Sequence, residues 1–287
     1  MSPQSAFKKV AILAHTRRPA DAEEAEPLAE FFRANGVEVH SGVPSDKKLR
    51  EALLAGEFDL AVSLGGDGGV LRAGHLCAPK DVPLLGINMG RFGFLIEVEP
   101  DEWRELLPRL FTGDYWFERR MLLSVALWRG KKLIAESEAL NEAMIGRGRV
   151  VRPVHLLASL DGEALTTYVA DGLIIATATG STAYALAAGG PILPPELRNI
   201  LLLPVAAHLS VDRAIVLAEG ASIRVELQSG EEAVLSIDGQ QPHALETGDI
   251  IDVHASDHSV RFLRFQEPGY FYQRLLSIMD NNPAIEK

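Results

Sequence analysis

The sequence is poor in the features that mark secreted, membrane-spanning or nucleic-acid-binding chains. Its 287 residues hold a single cysteine, Cys77, which excludes an internal disulfide, a CxxC redox pair and a cysteine-built zinc site. No apolar run reaches the roughly 20 residues needed to cross a bilayer. The longest, around Ile200 to Leu209, is interrupted by Pro204 and His208. The start, Met1 to Lys9, lacks an extended apolar stretch followed by a cleavage site. Positive charge is scarce as well: 28 lysines and arginines stand against 39 aspartates and glutamates, a formal net charge of −11. That balance lacks the footprint of a DNA, RNA or anionic-membrane partner. A cytoplasmic protein with no nucleic-acid and no membrane partner is expected. Any phosphate it binds must be met by local arginines and backbone amides, against the chain's mean field.

What is present is an ordinary globular composition, 47% hydrophobic and 23% charged, in a length that suits two domains. The first part alternates short apolar runs with amphipathic stretches. Val10–Leu13, Val37–Val39, Phe58–Leu64 and Pro83–Asn88 read as strands. Asp21–Asn35 before Gly36, Asp46–Leu54 before Gly56, and a stretch through Leu76 read as helices. This βαβα rhythm predicts a doubly wound, Rossmann-like α/β domain over residues 1–115. From Phe117 the period changes to two. Ser222–Gln228 places Ile223, Val225 and Leu227 on one face; Glu231–Asp238 and Ser259–Phe262 are similar, and Asp161-Gly162 and Ser229-Gly230 are candidate hairpin turns. A mostly antiparallel β domain is predicted over 116–266, followed at 267–287 by a helix, Tyr270 to Met279, that packs back on the first domain. A ligand cleft between the domains is the default expectation.

The densest chemical signal is Gly65-Gly66-Asp67-Gly68-Gly69, at the carboxyl end of an apolar strand and the start of a helix. Glycines let a ligand approach the backbone, and helix-start amides suit phosphate. The spacing is neither GxxxxGK[ST] nor GxGxxG. The plainer alternative is a tight turn in which Asp67 caps the helix. Leu64-Gly65-Gly66-Asp67-Gly68 with Leu71-Arg72 resembles the GGDG loop shared by NAD kinases, diacylglycerol and sphingosine kinases and 6-phosphofructokinases.

Further stretches narrow that resemblance. Asn88-Met89-Gly90-Arg91-Phe92-Gly93-Phe94-Leu95 is similar to the NAD kinase N-x-G-x-x-GFL segment, and Leu140-Asn141-Glu142 through Arg147-Gly148 to its LNE…RG segment. Ala170-Asp171-Gly172-Leu173-Ile174-Ile175-Ala176-Thr177-Ala178-Thr179-Gly180-Ser181-Thr182-Ala183-Tyr184, with Ala188-Gly189-Gly190-Pro191, resembles the ADGLIIxTPTGSTAY…AGGP signature. Taken alone, Asn141, Glu142 and Asp171 offer donors and acceptors for an adenine edge and ribose hydroxyls, and Tyr184 a ring for stacking. They also have plainer readings: a solvated turn at Asn141-Glu142, a helix N-cap at Ser181-Thr182, a core tyrosine at Tyr184.

The resemblance implies an NAD kinase that uses NAD and ATP, or polyphosphate, with a divalent cation such as Mg²⁺, to phosphorylate the 2′-hydroxyl of the adenosine ribose. It places Asp67 and Gly68 at the nicotinamide-ribose and phosphate region, and Asn141, Glu142 and Asp171 at the adenosine. Thr182, Ala183, Tyr184, Ala185, Leu186 and Ala187 line the same pocket, Arg72 and Arg152 contact phosphate or ribose, and Gln240 adds another contact. It also implies a homodimer or homotetramer, with Arg152 serving a neighbouring subunit. Asp67 is the candidate catalytic residue, as base, hydroxyl orienter or metal ligand. Arg147, Arg149 and Arg152 could offset the net charge locally, or form a solvated edge. The sequence departs from the pattern at Gly69 (usually Thr or Ser), Ala178 (usually Pro), and Ala185 and Ala187 (often Ser). A lipid or sugar kinase of the GGDG superfamily and a non-catalytic NADP(H)-binding sensor are the alternatives.

Overall fold

The computed structural model describes residues 7–14, 19–89, 93–150, 152–208, 212–230 and 232–280. The chain divides into two compact units: Met1–Arg119 with His258–Lys287, and Arg120–Asp257. The second is thus an insertion in the first. The return begins at His258, inside a strand, earlier than the helix at which the sequence places it.

The first unit opens with β1 (Lys9–Ala14), α1 (Pro19–Ala34), β2 (Glu38–Gly42), α2 (Lys47–Ala55), β3 (Leu60–Gly65), α3 (Asp67–Cys77) and β4 (Leu84–Asn88). Short helices α4 (Trp103–Leu106) and α5 (Arg109–Thr112) follow. The strands are parallel in the order β2-β1-β3-β4. Every residue of β3 is buried, as a central strand covered on both faces must be. Val10, Ile12, Val62, Leu64 and Ile87 pack against Leu28 and Phe32 of α1 and against Trp103 and Leu107. Helix α2 ends where the sequence predicts. Asp46 accepts from Leu49 N at its start, and Gly56 turns left-handed (φ 77°) to donate to Ala52 and Leu53 carbonyls. In this strand order the connections from β1 and β3 run in opposite directions, so the carboxyl end of β3 lies at a topological switch point, where open α/β sheets bind ligands.

The second unit is built from strands. The long β5 (Trp116–Arg129) leads in, followed by β6 (Lys132–Ala139), β7 (Glu142–Gly146), β8 (Val154–Leu160), β9 (Glu163–Ala170) and β10 (Gly172–Thr177). Next come α6 (Tyr184–Ala187), β11 (Ile200–Val205), β12 (Ile215–Leu217), β13 (Ile223–Ser229), β14 (Val234–Ile237) and β15 (His243–Ala244). β16 (Asp249–Arg264) leads out. One antiparallel sheet has the order β12-β11-β10-β7-β14-β15. Strand β8 pairs with β9 and β13, and β13 with the first part of β16, all antiparallel. Ile223, Val225 and Leu227 are buried as the alternation predicts. Asp161-Gly162 closes the β8–β9 hairpin with both φ angles positive (51° and 88°). Ser229-Gly230 does not form a hairpin: β13 pairs with β8 and β16, and β14 with β7 and β15. The predicted strand over 231–238 is observed as β14, and residue 231 lies outside the described residues.

The end of β16 runs parallel to β4 in the first unit (Phe262 opposite Leu84) and leads into α7 (Tyr270–Asp280), the predicted returning helix. A buried ionic cluster holds this return. Arg264 donates to Glu118 (2.8 Å), Glu97 (3.0 Å) and the Leu95 carbonyl (3.3 Å); Tyr270 OH donates to Glu118 (2.9 Å). Burial opposes the charge of Arg264, but Tyr270, Glu118 and Glu97 outweigh it, so its pKa lies above the ordinary arginine value. Arg264→Met would strand two carboxylates in the core. A loss of about 3–5 kcal/mol is expected, measured as a fall in the urea midpoint of unfolding.

Candidate active site

In the first unit the glycine loop turns on Gly65, whose φ of 147° is one that side chains disfavour. Gly66 is extended and is the N-cap of α3, with no side-chain capping bond, and Asp67 is the first helical residue. Asp67 therefore does not cap its own helix. Its carboxylate turns to the GFL segment and accepts from Phe94 N (2.8 Å) and Leu95 N (3.0 Å). Those amides, with the positive end of the helix macrodipole, suit a fixed anionic carboxylate. Gly93 makes this contact possible: a Cβ there would overlap the Asp67 carboxylate. Residues 90–92, the middle of the N-x-G-x-x-GFL resemblance, lie outside the described residues. Arg72 is exposed one turn along α3, and a Cβ on Gly68 would lie 3.8 Å from its Nη1. The structure thus brings Asp67, Gly68 and Arg72 together around the first turn of α3.

In the second unit Asn141 and Glu142 sit at the head of β7. Their turn is organised by Asp238, a buried residue at the end of β14 whose carboxylate accepts from Leu140 N (2.7 Å), Asn141 N (2.8 Å) and Glu142 N (3.0 Å). Thr177 ties the same turn to the next loop. Its hydroxyl donates to Leu140 O (2.5 Å) and accepts from Gly180 N (3.1 Å), and its amide donates to Asn141 O (2.9 Å). A side chain on Gly180 would collide with the Asn141 backbone. The sequence pointed to Asp238 only as the last residue of a predicted strand, and to Thr177 and Gly93 only as motif letters. An acid closing an apolar strand was the available signal.

Glu142 is the most perturbed carboxyl here. Burial first, then the nearby Asp238 charge, raise its pKa to about 7, against a bond from the Tyr184 backbone that lowers it. Its Oε2 is buried without a hydrogen-bond partner. It can therefore both accept and donate near neutral pH.

The 179–187 segment is a 3₁₀ turn (Thr179–Thr182) followed by α6, with Ala183 between them. Ser181 is not a helix cap: its hydroxyl donates to Ala178 O (2.7 Å) and accepts from Leu193 N (2.9 Å) in the interior. Thr182 donates to Thr179 O (3.1 Å). Tyr184, Leu186 and Ala187 are exposed, so the Tyr184 ring is a surface platform and not a core residue. Ala185 is buried in a small core with Ile174 and Leu201, so only its main chain is available; its carbonyl already accepts from Gly190 N (2.8 Å). Gln240 is exposed after the Asp238-Gly239 turn.

Asp171 does not join Asn141 and Glu142. The antiparallel ladder sets Ala176 opposite Glu142 and Gly172 opposite Gly146, so Asp171 lies at the far end of β10, about 15 Å along the strand. There it pairs with Arg147 Nε (3.0 Å), while Arg149 pairs loosely with Glu232 (3.9 Å) and Arg152 is exposed. Arg147 and Arg149 are thus matched by acids of the same unit.

These patterns fall within two family models. The ATP-NAD kinase N-terminal domain matches residues 37–115 and the ATP-NAD kinase C-terminal domain residues 140–265. The NAD kinase of Chloroflexus aurantiacus is 38% identical over 271 residues, 94% of this chain and 98% of that protein. The chain belongs to the NAD kinase family. The NAD kinase of Citrifermentans bemidjiense is 36% identical over 276 residues, 92% and 96% of the two chains. Yeast NADH kinase complexed with NADH shares the fold, with a TM-score of 0.84 at 24% identity over 99% of this chain and 93% of that one. An NAD kinase from Archaeoglobus fulgidus in complex with ATP has a TM-score of 0.75 at 25% identity, over 94% and 98%. The α/β unit with its glycine loop and the antiparallel β unit are the fold of this family. At Gly69, where the family usually carries Thr or Ser, an added Cβ would lie 3.4 Å from Ser63 Oγ, an ordinary van der Waals contact.

Among the described residues no group of three His, Cys, Asp or Glu side chains is arranged to hold a metal ion. Asp67 remains a single carboxylate already engaged by two amides. That donor set fits Mg²⁺ carried mainly by substrate phosphates and water, the usual mode for this ion.

Two outcomes test these assignments. Gly93→Ala is expected to fold but to displace the 93–95 amides from Asp67, lowering kcat by roughly 10–100-fold in a steady-state assay. For Glu142, the native state holds a proton that the unfolded chain releases between about pH 4.5 and pH 7, so stability falls as pH rises through that window. Glu142→Gln should therefore be more stable than the parent at pH 8, by on the order of 3 kcal/mol for a shift from 4.5 to about 7. The two should converge near pH 4.5 when thermal melts are compared across pH.

Proposed function

We propose that this NAD kinase transfers the terminal phosphoryl group of ATP, or of inorganic polyphosphate, to the 2′-hydroxyl of the adenosine ribose of NAD, giving NADP. The single observation that carries the reading is the Asp67 carboxylate, held by two backbone amides at the first turn of α3 beside Gly68 and Arg72. In the transfer the bond from the terminal phosphorus to the donor's bridging oxygen breaks. A bond from phosphorus to the ribose oxygen forms, the donor departs as ADP or as polyphosphate one unit shorter, and the hydroxyl proton passes to solvent. A carboxylate is a weak base towards a sugar hydroxyl, and a loose transition state needs little early deprotonation. Each Asp67 oxygen accepts one amide and keeps a lone pair. Orientation of the hydroxyl is therefore its proposed role.

Gly69 N and Val70 N both donate to Gly66 O, so the Asp67 and Gly68 amides ahead of them, with Arg72, are the proposed holders of donor phosphate. Mg²⁺ bound with those phosphates would neutralise charge on the transferred phosphoryl and the leaving group. Asn141, Glu142, the exposed Tyr184 and the 182–187 main chain are proposed to receive the adenosine, with Gln240 as a further contact. Asp171 is assigned away from that subsite by its place at the other end of β10. A homodimer or homotetramer, with exposed Arg152 serving a neighbouring subunit, belongs to the same proposal. So does a cytoplasmic location. Its supports are a lone, buried Cys77 and the finding that no described helix is long and apolar enough to cross a membrane.

Asp67→Asn should nearly abolish NADP formation from NAD and Mg-ATP while leaving NAD binding within a few fold, measured by product chromatography and calorimetry. Full activity would remove the assignment. A parent protein that binds NADP but forms none would be a sensor.

A further inference from the structure

The returning helix α7 presents Tyr270, Phe271 and Arg274 to the interior and leaves Tyr272, Gln273 and Leu276 exposed. Its deepest contacts are with the loop that holds Asp67. Arg274, only 7% exposed, donates through Nη1 to the carbonyls of Gly93 (3.0 Å) and Ile96. The Phe271 ring packs on that of Phe94 at 6.0 Å. Arg264 takes the intervening Leu95 carbonyl, and Glu97 accepts from Phe265 N (2.6 Å) and Gln266 N (2.9 Å). Residues 93–97 are thus gripped along their whole length, mainly through main-chain carbonyls.

One of those carbonyls has a direct chemical consequence. Gly93 C=O and Phe94 N–H belong to the same planar trans peptide, so their bond directions are opposed and rigidly linked. A cation that fixes the carbonyl on one side fixes the N–H on the other, and that N–H is the 2.8 Å donor to Asp67 Oδ2. A guanidinium on the carbonyl also polarises the peptide and strengthens the donor. Stability alone does not call for such a group, because a well-packed apolar side chain is often as stabilising as a buried ion. Only a multi-donor head can meet two carbonyls at once.

We propose that Arg274 is a positioning residue for phosphoryl transfer: from the C-terminal helix it orients the Gly93–Phe94 peptide whose N–H holds the Asp67 carboxylate. The inference rests on the role assigned to Asp67 above, and the experiment separates the two. Full-length parent, Asp67→Asn, Arg274→Met, Arg274→Lys and the surface control Tyr272→Ala are compared by steady-state kinetics with NAD and Mg-ATP and by peptide-level hydrogen exchange.

Arg274→Met is expected to lower kcat by roughly 10–100-fold, with both KM values within about threefold of the parent. Faster exchange should be confined to the 93–97 peptide. Arg274→Lys keeps the charge but loses the planar fork, so kcat should fall only severalfold, and Tyr272→Ala should match the parent. An Arg274→Met kcat within twofold of the parent overturns the proposal. So does a parallel rise in KM, or faster exchange throughout the unit, because either marks general loosening. Should Arg274→Met fail to fold, Arg274→Lys decides by the same readouts, and parental kcat with unchanged exchange refutes it. Full activity in Asp67→Asn would instead remove the Asp67 reading, and absence of NADP formation by the parent would remove the activity itself.

Discussion

A carboxylate received by two adjacent backbone amides is the constraint on which the first unit is organised. Asp67 starts a helix, yet its oxygens are engaged by Phe94 and Leu95 rather than by its own turn. Backbone donors cannot rotate away as side chains can, so the carboxylate inherits the rigidity of whatever holds the loop. The other local features follow. Position 93 has no room for a side chain, the loop carbonyls are taken by buried arginines, and the helix supplying one of those arginines comes from the far end of the chain.

The second unit uses the same device on a larger scale. Asp238 accepts three consecutive amides and so shapes the turn that presents Asn141 and Glu142. Its charge, added to burial, holds the Glu142 carboxyl near the middle of the physiological pH range. In the second unit the acid that shapes the loop, Asp238, is distinct from the groups that loop is proposed to offer a ligand. Asp67 alone combines the two roles in the proposed mechanism.

An acidic chain that handles anionic substrates must limit its own repulsion. The surface arginines contribute less than their clustering suggests, since Arg147 is matched by Asp171 and Arg149 by Glu232. Positive potential at the glycine loop comes instead from the start of α3 and from Arg72. In the interior Arg264 is balanced by Glu97 and Glu118, while Arg274 donates to main-chain carbonyls of the 93–97 loop.

Much of the molecule was legible in the residues because the relevant preferences are local. Gly56 ends α2, Asp161-Gly162 turns a hairpin, and alternating aliphatics bury one face of β13, each decided by φ, ψ and burial within a few positions. The family signatures marked the glycine loop, Asn141, Glu142 and the 179–187 segment. Ser229-Gly230 misled because a turn-forming dipeptide does not specify which strands it joins. The motif groups Asp171 with Asn141 and Glu142, but motif proximity does not specify which end of a strand a residue occupies. Within the chain Asp171 sits at the other end of β10. By itself, then, the sequence determined the elements, the class of fold and the residue types gathered for phosphoryl transfer. Tertiary structure alone decided which amides meet which carboxylates, at separations of 27 and 28 residues for Asp67 and up to 98 for Asp238. Those pairings depend on the path of the whole backbone, which no local periodicity encodes.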